Sequence, residues 1–328
     1  MKEKENVLFL GCGYMGYDIH IIRQLEKKYN VYYEETTYSL NHYTFIFNRI
    51  KQLPGGRMMI RKFEEWKIEK LVKKVSNIEI TKFLLIYSPK ASISSHLLES
   101  IKSTQQKCDY ILYLWDNWAR LDKKDLLLCY FKKIYSFDLN DCETLGFKYR
   151  PLFYIENVNN ENIAKTIDIC CVGMEHSRRI ELASKFKCFC ISHGYHYDIR
   201  IVCGLKKYLF RKYIQNKQYS PIMDIMTPFI VEYDEYLCLL DRSKVVFDNP
   251  FSSQCGLTMR VIEALAKGLK VITTNSNIRR CEDIPSCMYF VLDDNFEDEK
   301  MVKFMEDKQS ANLPERYSIH SFLSEIMA

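Results

Sequence analysis

The chain has 328 residues, and its 47 basic and 42 acidic side chains leave a formal net charge of only +5. That excess is too small to indicate nucleic acid binding, and an apolar content of 47% argues against a disordered chain. The length favours two domains of roughly 150 residues each. The 13 cysteines often lie inside apolar runs, which favours buried thiols over disulfides.

The charged start of the chain is unlike a signal peptide, and no apolar run approaches the roughly 20 residues that span a bilayer. We therefore expect a cytoplasmic protein. Strand-like runs and helical patterns alternate through the first half. The predicted strands are Val7–Leu10, Val31–Tyr33, Phe83–Tyr87, Tyr110–Trp115 and Lys133–Phe137. The predicted helices are Tyr17–Lys28, Lys62–Val75 and Ser92–Lys102.

The same alternation continues in the second half. Strands are predicted at "IDICCVG", "DIRIVCG", "KVVFDN" and "KVITTN", and helices at "SRRIELASKF" and "TMRVIEALAKG", the latter ending at Gly268. Alternation in both halves predicts an α/β protein with two doubly wound parallel sheets. The Asn-rich segment 150–165 carries Pro151 and is the predicted domain boundary, which gives domains at 1–155 and 165–305.

A glycine-rich turn follows the first predicted strand. In "NVLFLGCGYMG", residues 6–16, Gly11, Gly13 and Gly16 have the spacing of a dinucleotide-binding turn. Glu34 and Glu35 end the second strand, where such a site carries its ribose-binding acid. Three interpretations remain: a nicotinamide dinucleotide site, a site for another ligand, or a turn that is glycine-rich for steric reasons alone.

The segment "SKVVFDNPFSSQCGLTMRVIEALAKGLKVITTN", residues 243–275, combines a strand, a polar loop and a helix that begins near Thr258. Loop amides that lead into a helix N-terminus suit a diphosphate, and an arginine such as Arg260 can bind phosphate oxygens. Glu263, one turn further on, can accept both hydroxyls of a ribose. The alternative is that Arg260 and Glu263 lie on a solvated helix face.

This segment resembles the donor-binding segment of the group 1 glycosyltransferases, which have the GT-B fold. The resemblance is closest to their spore-maturation-protein-like (CgeB-like) branch and to enzymes of capsule and lipopolysaccharide clusters. The motif that carries it is "GLT-x-R-x-x-E-A-L-A-x-G", and "YLWDNW", "YSFDLND" and "RPLFY" match more weakly. The resemblance implies two Rossmann-like domains facing a cleft, with 306–328 as a helix that packs back on the first domain.

The resemblance also implies which residues hold a nucleotide-sugar donor. Glu263 would bind the ribose, Arg260 would be a charge partner, and Gly11 and Gly13 would line the cleft from the other domain. The remaining donor residues by resemblance are Gln254, Gly256, Leu257 and Thr258. The sequence departs from the family pattern at one position. The family has a second glutamate eight residues before Glu263, and here that residue is Cys255, which leaves the contact with the donor sugar unassigned.

Candidate catalytic acids lie at the carboxyl ends of two strands in the first half. Asp116, in "YLWDNW", lies between tryptophans that could stack on a sugar, and we predict it as the catalytic base. Asp138, in "YSFDLND", is the second candidate. For both, a turn or helix N-cap is the alternative, and it is the stronger reading for Asp138.

The loop "CVGMEHSRR", residues 171–179, is expected to face the cleft. Gly173 and His176 are predicted to contact the donor, and Arg178 or Arg179 to neutralise its leaving diphosphate. Because no D-x-D motif has a suitable context, we predict no obligate metal and no further cofactor.

A basic and aromatic stretch, residues 47–74, suits an anionic lipid surface or a polyprenyl-linked acceptor; the alternative is an ordinary amphipathic helix. Its nine basic residues are Arg49, Lys51, Arg57, Arg61, Lys62, Lys67, Lys70, Lys73 and Lys74. Residues 205–217 have a similar character. The prediction is a glycosyltransferase of surface polysaccharide assembly, peripheral at the inner face of the membrane. The alternatives are an NAD-dependent oxidoreductase and a non-catalytic nucleotide-binding protein.

Overall fold

The computed structural model describes residues 4–37, 50, 53–89, 91–156, 163–176, 178–293 and 296–328. Some sequence predictions concern residues outside these ranges, namely Arg49, Lys51, Ser177 and the middle of the predicted domain boundary, 157–162. The chain divides into two compact units. Unit 1 comprises Met1–Pro151 and Ile319–Ala328, and unit 2 comprises Leu152–Ser318.

Unit 1 is built on a six-stranded parallel sheet with the strand order β2-β1-β3-β4-β5-β6. Its strands are β1 (Glu5–Gly11), β2 (Tyr29–Glu35), β3 (Lys82–Tyr87), β4 (Asp109–Leu114), β5 (Lys133–Ser136) and β6 (Lys148–Tyr149). Its helices are α1 (Tyr17–Leu25), α2 (Gly56–Val75), α3 (Ser95–Thr104), α4 (Lys124–Tyr130) and α5 (Leu139–Leu145). The central strands are buried on both faces, which explains their continuous apolar sequences.

Helix α2 begins six residues before its predicted start at Lys62. Its buried face consists of Ile60, Glu64, Ile68, Val72 and Val75, a spacing of three and four residues that is typical of a helix on a sheet. Ile60 already belongs to this face, and this explains why the helix extends further toward the N-terminus than the sequence pattern indicated.

Unit 2 contains a second six-stranded parallel sheet, with the order β12-β11-β10-β7-β8-β9. Its strands are β7 (Ile167–Met174), β8 (Tyr197–Val202), β9 (Met226–Thr227), β10 (Ser243–Asp248), β11 (Lys270–Thr273) and β12 (Tyr289–Val291). Its helices are α6 (Arg179–His193), α7 (Leu205–Tyr213), α8 (Asn216–Tyr219), α9 (Tyr233–Asp241), α10 (Met259–Ala266) and α11 (Asp298–Glu306). The final helix, α12 (Ile319–Ile326), belongs to unit 1.

The predicted fold class is confirmed, because each half of the chain forms a doubly wound parallel sheet. In each sheet, the strands that follow the first one (β1 or β7) are added on one side of it, and the later strands are added on its other side. Loops that leave the carboxyl ends of strands at such a change of side are where open α/β sheets bind ligands. In unit 2 these are the loops after β7 and β10.

Candidate functional site

The candidate site of unit 2 begins at Asp248, the last residue of β10. Its fully buried carboxylate accepts hydrogen bonds from Thr258 Oγ1 at 3.0 Å and from Arg260 Nε and Nη2 at 2.9 and 2.7 Å. Thr258 is also the N-cap of α10, since its hydroxyl accepts from Val261 N–H. Asp248 therefore fixes the start of α10 relative to the strand that precedes it.

Arg260 was predicted to bind phosphate oxygens as a charge partner, and its guanidinium is paired with Asp248. Burial alone would lower the pKa of Arg260, but the attraction of Asp248 raises it above its ordinary value. Arg260 is thus a fixed, permanent cation beside the helix N-terminus. A direct contact with a donor stays a prediction.

The loop between β10 and α10 is held by Asn275, which follows β11. Asn275 Nδ2 donates to the carbonyl oxygens of Cys255 and Gly256, both at 3.1 Å. Gln254 Nε2 donates to the same Gly256 oxygen at 3.2 Å. The side chain of Leu257 is buried in the core, so only its backbone can contact a ligand.

Glu263 lies on α10, and only 3% of its surface is exposed. Its Oε1 accepts a hydrogen bond from the Tyr233 hydroxyl at 2.8 Å. Burial and the charge of Glu263 raise the pKa of Tyr233, so its hydroxyl stays protonated and donates. Both residues line a cavity of about 340 Å³, together with Lys267, Asn312 and others. A carboxylate at a cavity wall is therefore present at the position where the sequence predicted a ribose acceptor.

The loop after β7 contacts the loop after β10. The His176 ring stacks on Phe251 with centroids 3.8 Å apart. Arg179 is buried and donates to two carbonyl oxygens. One belongs to Met174, the last residue of β7, and the other to Asn249, the residue after β10. Gly173 is covered by this guanidinium, because a Cβ there would lie 2.5 Å from Arg179 Nη1. Gly173 is therefore needed for close approach within the protein.

The two arginines of this loop differ in their surroundings. Arg178 is exposed and forms two hydrogen bonds with Glu181, at 3.2 and 3.1 Å. Of the two, Arg178 has the accessible charge, whereas Arg179 holds two strand ends together. The adjacent Glu175 accepts hydrogen bonds from Lys207 and Arg211. Its carboxylate is thereby bound to α7.

The glycine turn of unit 1 contains an internal carboxylate. Asp18 Oδ2 accepts from the Gly13 N–H at 2.7 Å and from the Tyr33 hydroxyl at 2.8 Å. A Cβ on Gly11 would lie 2.1 Å from the same oxygen. In a dinucleotide site the turn amides face the pyrophosphate, but here Asp18 takes the Gly13 amide. Glu34 is paired with Lys67 at 2.5 Å.

The two candidate catalytic acids differ in accessibility. Asp116 is half-buried and pairs with Arg120, four residues further on, at 2.8 Å. Asp138 is buried and is the N-cap of α5, accepting from Asn140 N–H at 3.0 Å. These contacts of Asp138 are the ones expected of a helix N-cap. Asp116 is therefore the more accessible of the two acids.

Several residues that shape the site were not identified from the sequence, namely Asp248, Asn275, Tyr233 and the carbonyl-binding role of Arg179. Asp248 ends a buried strand and Asn275 lies two residues beyond another, and that position was a usable signal. Tyr233 lies 30 residues before Glu263, and nothing in the spacing links them. Within the described ranges, no group of three His, Cys, Asp or Glu side chains could hold a metal ion.

No protein-family model matches the chain, and no curated protein matches it. Solved structures are similar to it over nearly their whole length. The apo form of the lipopolysaccharide outer core galactosyltransferase WaaB has a TM-score of 0.51 and 11% identity, covering 98% of this chain and 99% of that one.

Two further structures have comparable similarity. A UDP-N-acetylglucosamine 2-epimerase has a TM-score of 0.58 and 10% identity, covering 100% of this chain and 95% of that one. Anabaena HepE in complex with UDP and glucose has a TM-score of 0.56 and 9% identity, covering 98% of each chain. At these identities the likeness establishes the fold alone. Glycosyltransferases and an epimerase share it, and it is the GT-B fold that the sequence predicted.

Proposed function

We propose that this protein is a glycosyltransferase that binds a nucleotide-sugar donor in unit 2. The observation that carries the proposal is the Glu263 carboxylate, which the Tyr233 hydroxyl orients at the wall of a cavity. A carboxylate can accept from both hydroxyls of a ribose, and the two charge-assisted hydrogen bonds are strong. The N-terminus of α10 favours an anion such as the donor diphosphate, and Arg260 offsets the charge of the buried Asp248 carboxylate beside it.

The proposed reaction uses groups that the chain supplies. Asp116 is the proposed base and takes the proton of an acceptor hydroxyl. That oxygen then forms a bond to the anomeric carbon, and the bond from this carbon to the diphosphate breaks. The nucleoside diphosphate leaves with the electron pair. Arg178, with the accessible charge in the loop after β7, is the proposed partner of the departing anion.

The proposed acceptor is a glycan or polyprenyl-linked molecule of surface polysaccharide assembly. Support comes from α2, which exposes Met58, Met59, Phe63 and Trp66 among its basic residues. An apolar and cationic helix face suits an anionic lipid or a lipid diphosphate. Among the described residues, no helix is both long enough and apolar enough to cross a bilayer. We therefore propose peripheral contact at the inner face of the membrane.

The test of the donor site is Glu263→Gln, which keeps the shape of the side chain and an acceptor for Tyr233. Loss of charged hydrogen bonds to the ribose should cost about 1.5–3 kcal/mol, or about 10–100-fold in the Kd of the preferred nucleotide sugar. Thermal shift with a panel of nucleotide sugars selects that donor, and calorimetric titration measures its Kd.

The matched control is Glu299→Gln on the exposed face of α11 in the same unit, which should leave the Kd unchanged. Full donor affinity in Glu263→Gln would show that the site is assigned wrongly. The panel also includes NAD, since binding of NAD alone would favour the oxidoreductase alternative. Donor binding with neither transfer nor hydrolysis would favour the non-catalytic alternative, and epimerised product would indicate an epimerase.

A further inference from the structure

Helix α7 has an unusual distribution of apolar residues. Leu205, Leu209, Phe210 and Tyr213 are all exposed, as is Ile214, which follows the helix, with exposed fractions of 43–72%. A helix on the surface of a globular protein normally turns its apolar residues toward the core. In α7 the buried residue is instead Arg211.

Ionic contacts, in place of apolar packing, attach α7 to unit 2. Arg211 donates from Nη1 and Nη2 to the two carboxylate oxygens of Glu175, at 2.8 and 2.7 Å, and Lys207 donates at 2.8 Å. Partial burial alone would raise the pKa of Glu175, but these hydrogen bonds bring it below its ordinary value. The Arg211 guanidinium also lies 4.5 Å from the centre of the Tyr219 ring. The helix is therefore held with its apolar residues outward.

The neighbouring loop extends this apolar surface. Cys203 N–H donates to Thr227 O at 2.9 Å, which places the ends of β8 and β9 side by side. Leu205 lies two residues after Cys203, and Phe229 lies two residues after Thr227. Both side chains are exposed. The α7 patch is defined as Leu205, Leu209, Phe210, Tyr213, Ile214, Phe229 and Ile230.

The charge along α7 and the segment that follows it has one sign, whereas acidic residues follow Ile230. From Gly204 to Tyr219 the sequence contains five basic residues and no acidic one. Lys207 and Arg211 are bound by Glu175, while Lys206, Lys212 and Lys217 are exposed. Lys212 Nζ lies 5.7 Å from the centre of the Tyr213 ring, so charge and aromatic surface are adjacent.

Exposed leucine and aromatic side chains interleaved with lysines are typical of a helix that lies in the interface of an anionic membrane. A purely apolar patch would equally suit a second protein, but the exposed lysines along α7 and just after it favour phospholipid headgroups. We propose that the α7 patch docks unit 2 on an anionic lipid surface. This surface is distinct from α2, which belongs to unit 1, and it does not depend on the donor site.

The test is co-sedimentation of the full chain with vesicles of phosphatidylcholine alone or mixed with phosphatidylglycerol. The wild type should bind the mixed vesicles, and added salt should weaken the binding. The double variant Lys206→Gln/Lys212→Gln should bind about 30-fold more weakly, given the contribution of each lysine near an anionic surface. Phe210→Ser/Tyr213→Ser should also weaken binding, and both side chains are exposed.

The matched control is Lys300→Gln/Lys303→Gln, which removes the same charge from the exposed face of α11 and should bind as the wild type does. Unchanged binding of the α7 variants, or equal binding to both kinds of vesicle, would overturn the proposal. Self-association of the wild type that Phe210→Ser/Tyr213→Ser abolishes would overturn it in favour of a protein interface. All variants should keep the donor-induced thermal shift. This measurement therefore distinguishes a wrong assignment of the donor site from a wrong assignment of the lipid-binding surface.

Discussion

Asp18 shows how a single residue can change the meaning of a motif. Its carboxylate accepts the Gly13 amide and the Tyr33 hydroxyl inside a turn whose spacing is that of a phosphate-binding loop. A buried carboxylate there would repel a bound pyrophosphate. The contacts therefore disfavour the dinucleotide alternative and support a turn that is glycine-rich because Asp18 packs against Gly11.

The buried position of Asp18 predicts a pH dependence of stability. Burial raises its pKa above the ordinary value of 3.8, outweighing its two hydrogen bonds. Among the described residues, Asp18 Oδ1 has no hydrogen-bond partner. The folded state therefore holds this proton more tightly than the unfolded chain. The resulting stabilisation is full below the unfolded pKa and is lost as the pH rises through the folded pKa.

Asp18→Asn should remove this contribution. The contribution is measured by urea unfolding of both proteins at a series of pH values. The series runs from about 4, the ordinary carboxyl pKa, to neutrality. The free energy of unfolding of the wild type should fall relative to that of the variant as the pH rises. A constant difference between the two proteins would show that the pKa of Asp18 is the same in the folded and unfolded states and is not raised.

At the scale of elements, α12 completes the core of unit 1 although it comes last in the chain. The Phe322 ring is fully buried and lies edge-on to Tyr113, with centroids 4.7 Å apart. The buried Arg150 guanidinium lies 5.6 Å from the same ring and pairs with Glu325 at 3.3 Å. The helix thus covers apolar and charged groups that unit 1 would otherwise expose.

Phe322→Ala should destabilise unit 1 by about 3–5 kcal/mol, because it removes a large buried side chain and leaves a cavity. Denaturant unfolding followed by tryptophan emission measures the change, since Trp66, Trp115 and Trp118 all belong to unit 1. Ser324→Ala, on the exposed side of the same helix, is the control and should change stability little. A loss below about 1 kcal/mol would mean that α12 contributes little to the core.

The accuracy of the element predictions followed the strength of the sequence patterns. Strands such as β1, β3 and β10 are buried on both faces, so their apolar runs were visible in the sequence. Helix α10 was visible from Thr258 and from Gly268, which has a φ of 70° just after its end. Short edge strands such as β6 and β9 have two residues each and carry no pattern of their own. Their pairing depends on the neighbouring strand.

At the scale of the whole molecule, the sequence predicted two α/β units but few of the contacts within the candidate site. Glu263 could be singled out because its segment resembles a donor-binding motif and a carboxylate can accept from ribose hydroxyls. Its partner Tyr233 and the pairing of Asp248 with Arg260 depend on how distant segments meet. A local sequence pattern contains no information on contacts between segments that are distant in the sequence. The sequence therefore identified residue types suited to a donor, while the internal partners of those residues required the fold.

The division into two units leads to a prediction about ligand-induced stability. Each unit has its own sheet and its own apolar core, which favours separate unfolding transitions. A donor that binds only unit 2 stabilises that unit by about 2.7 kcal/mol at a concentration 100 times its Kd. The tryptophans report on unit 1 alone, whereas far-ultraviolet circular dichroism reports on both units.

Saturating nucleotide sugar should therefore raise the denaturant midpoint of one circular dichroism transition and leave the tryptophan transition in place. The transition that moves should be that of unit 2, because the proposed ribose acceptor and phosphate site both lie there. Glu263→Gln, measured at the same donor concentration, should abolish most of the shift without altering the ligand-free curve of unit 1. Equal displacement of both probes by the donor would contradict the prediction, because it would mean that the units unfold together or that the donor contacts unit 1 as well.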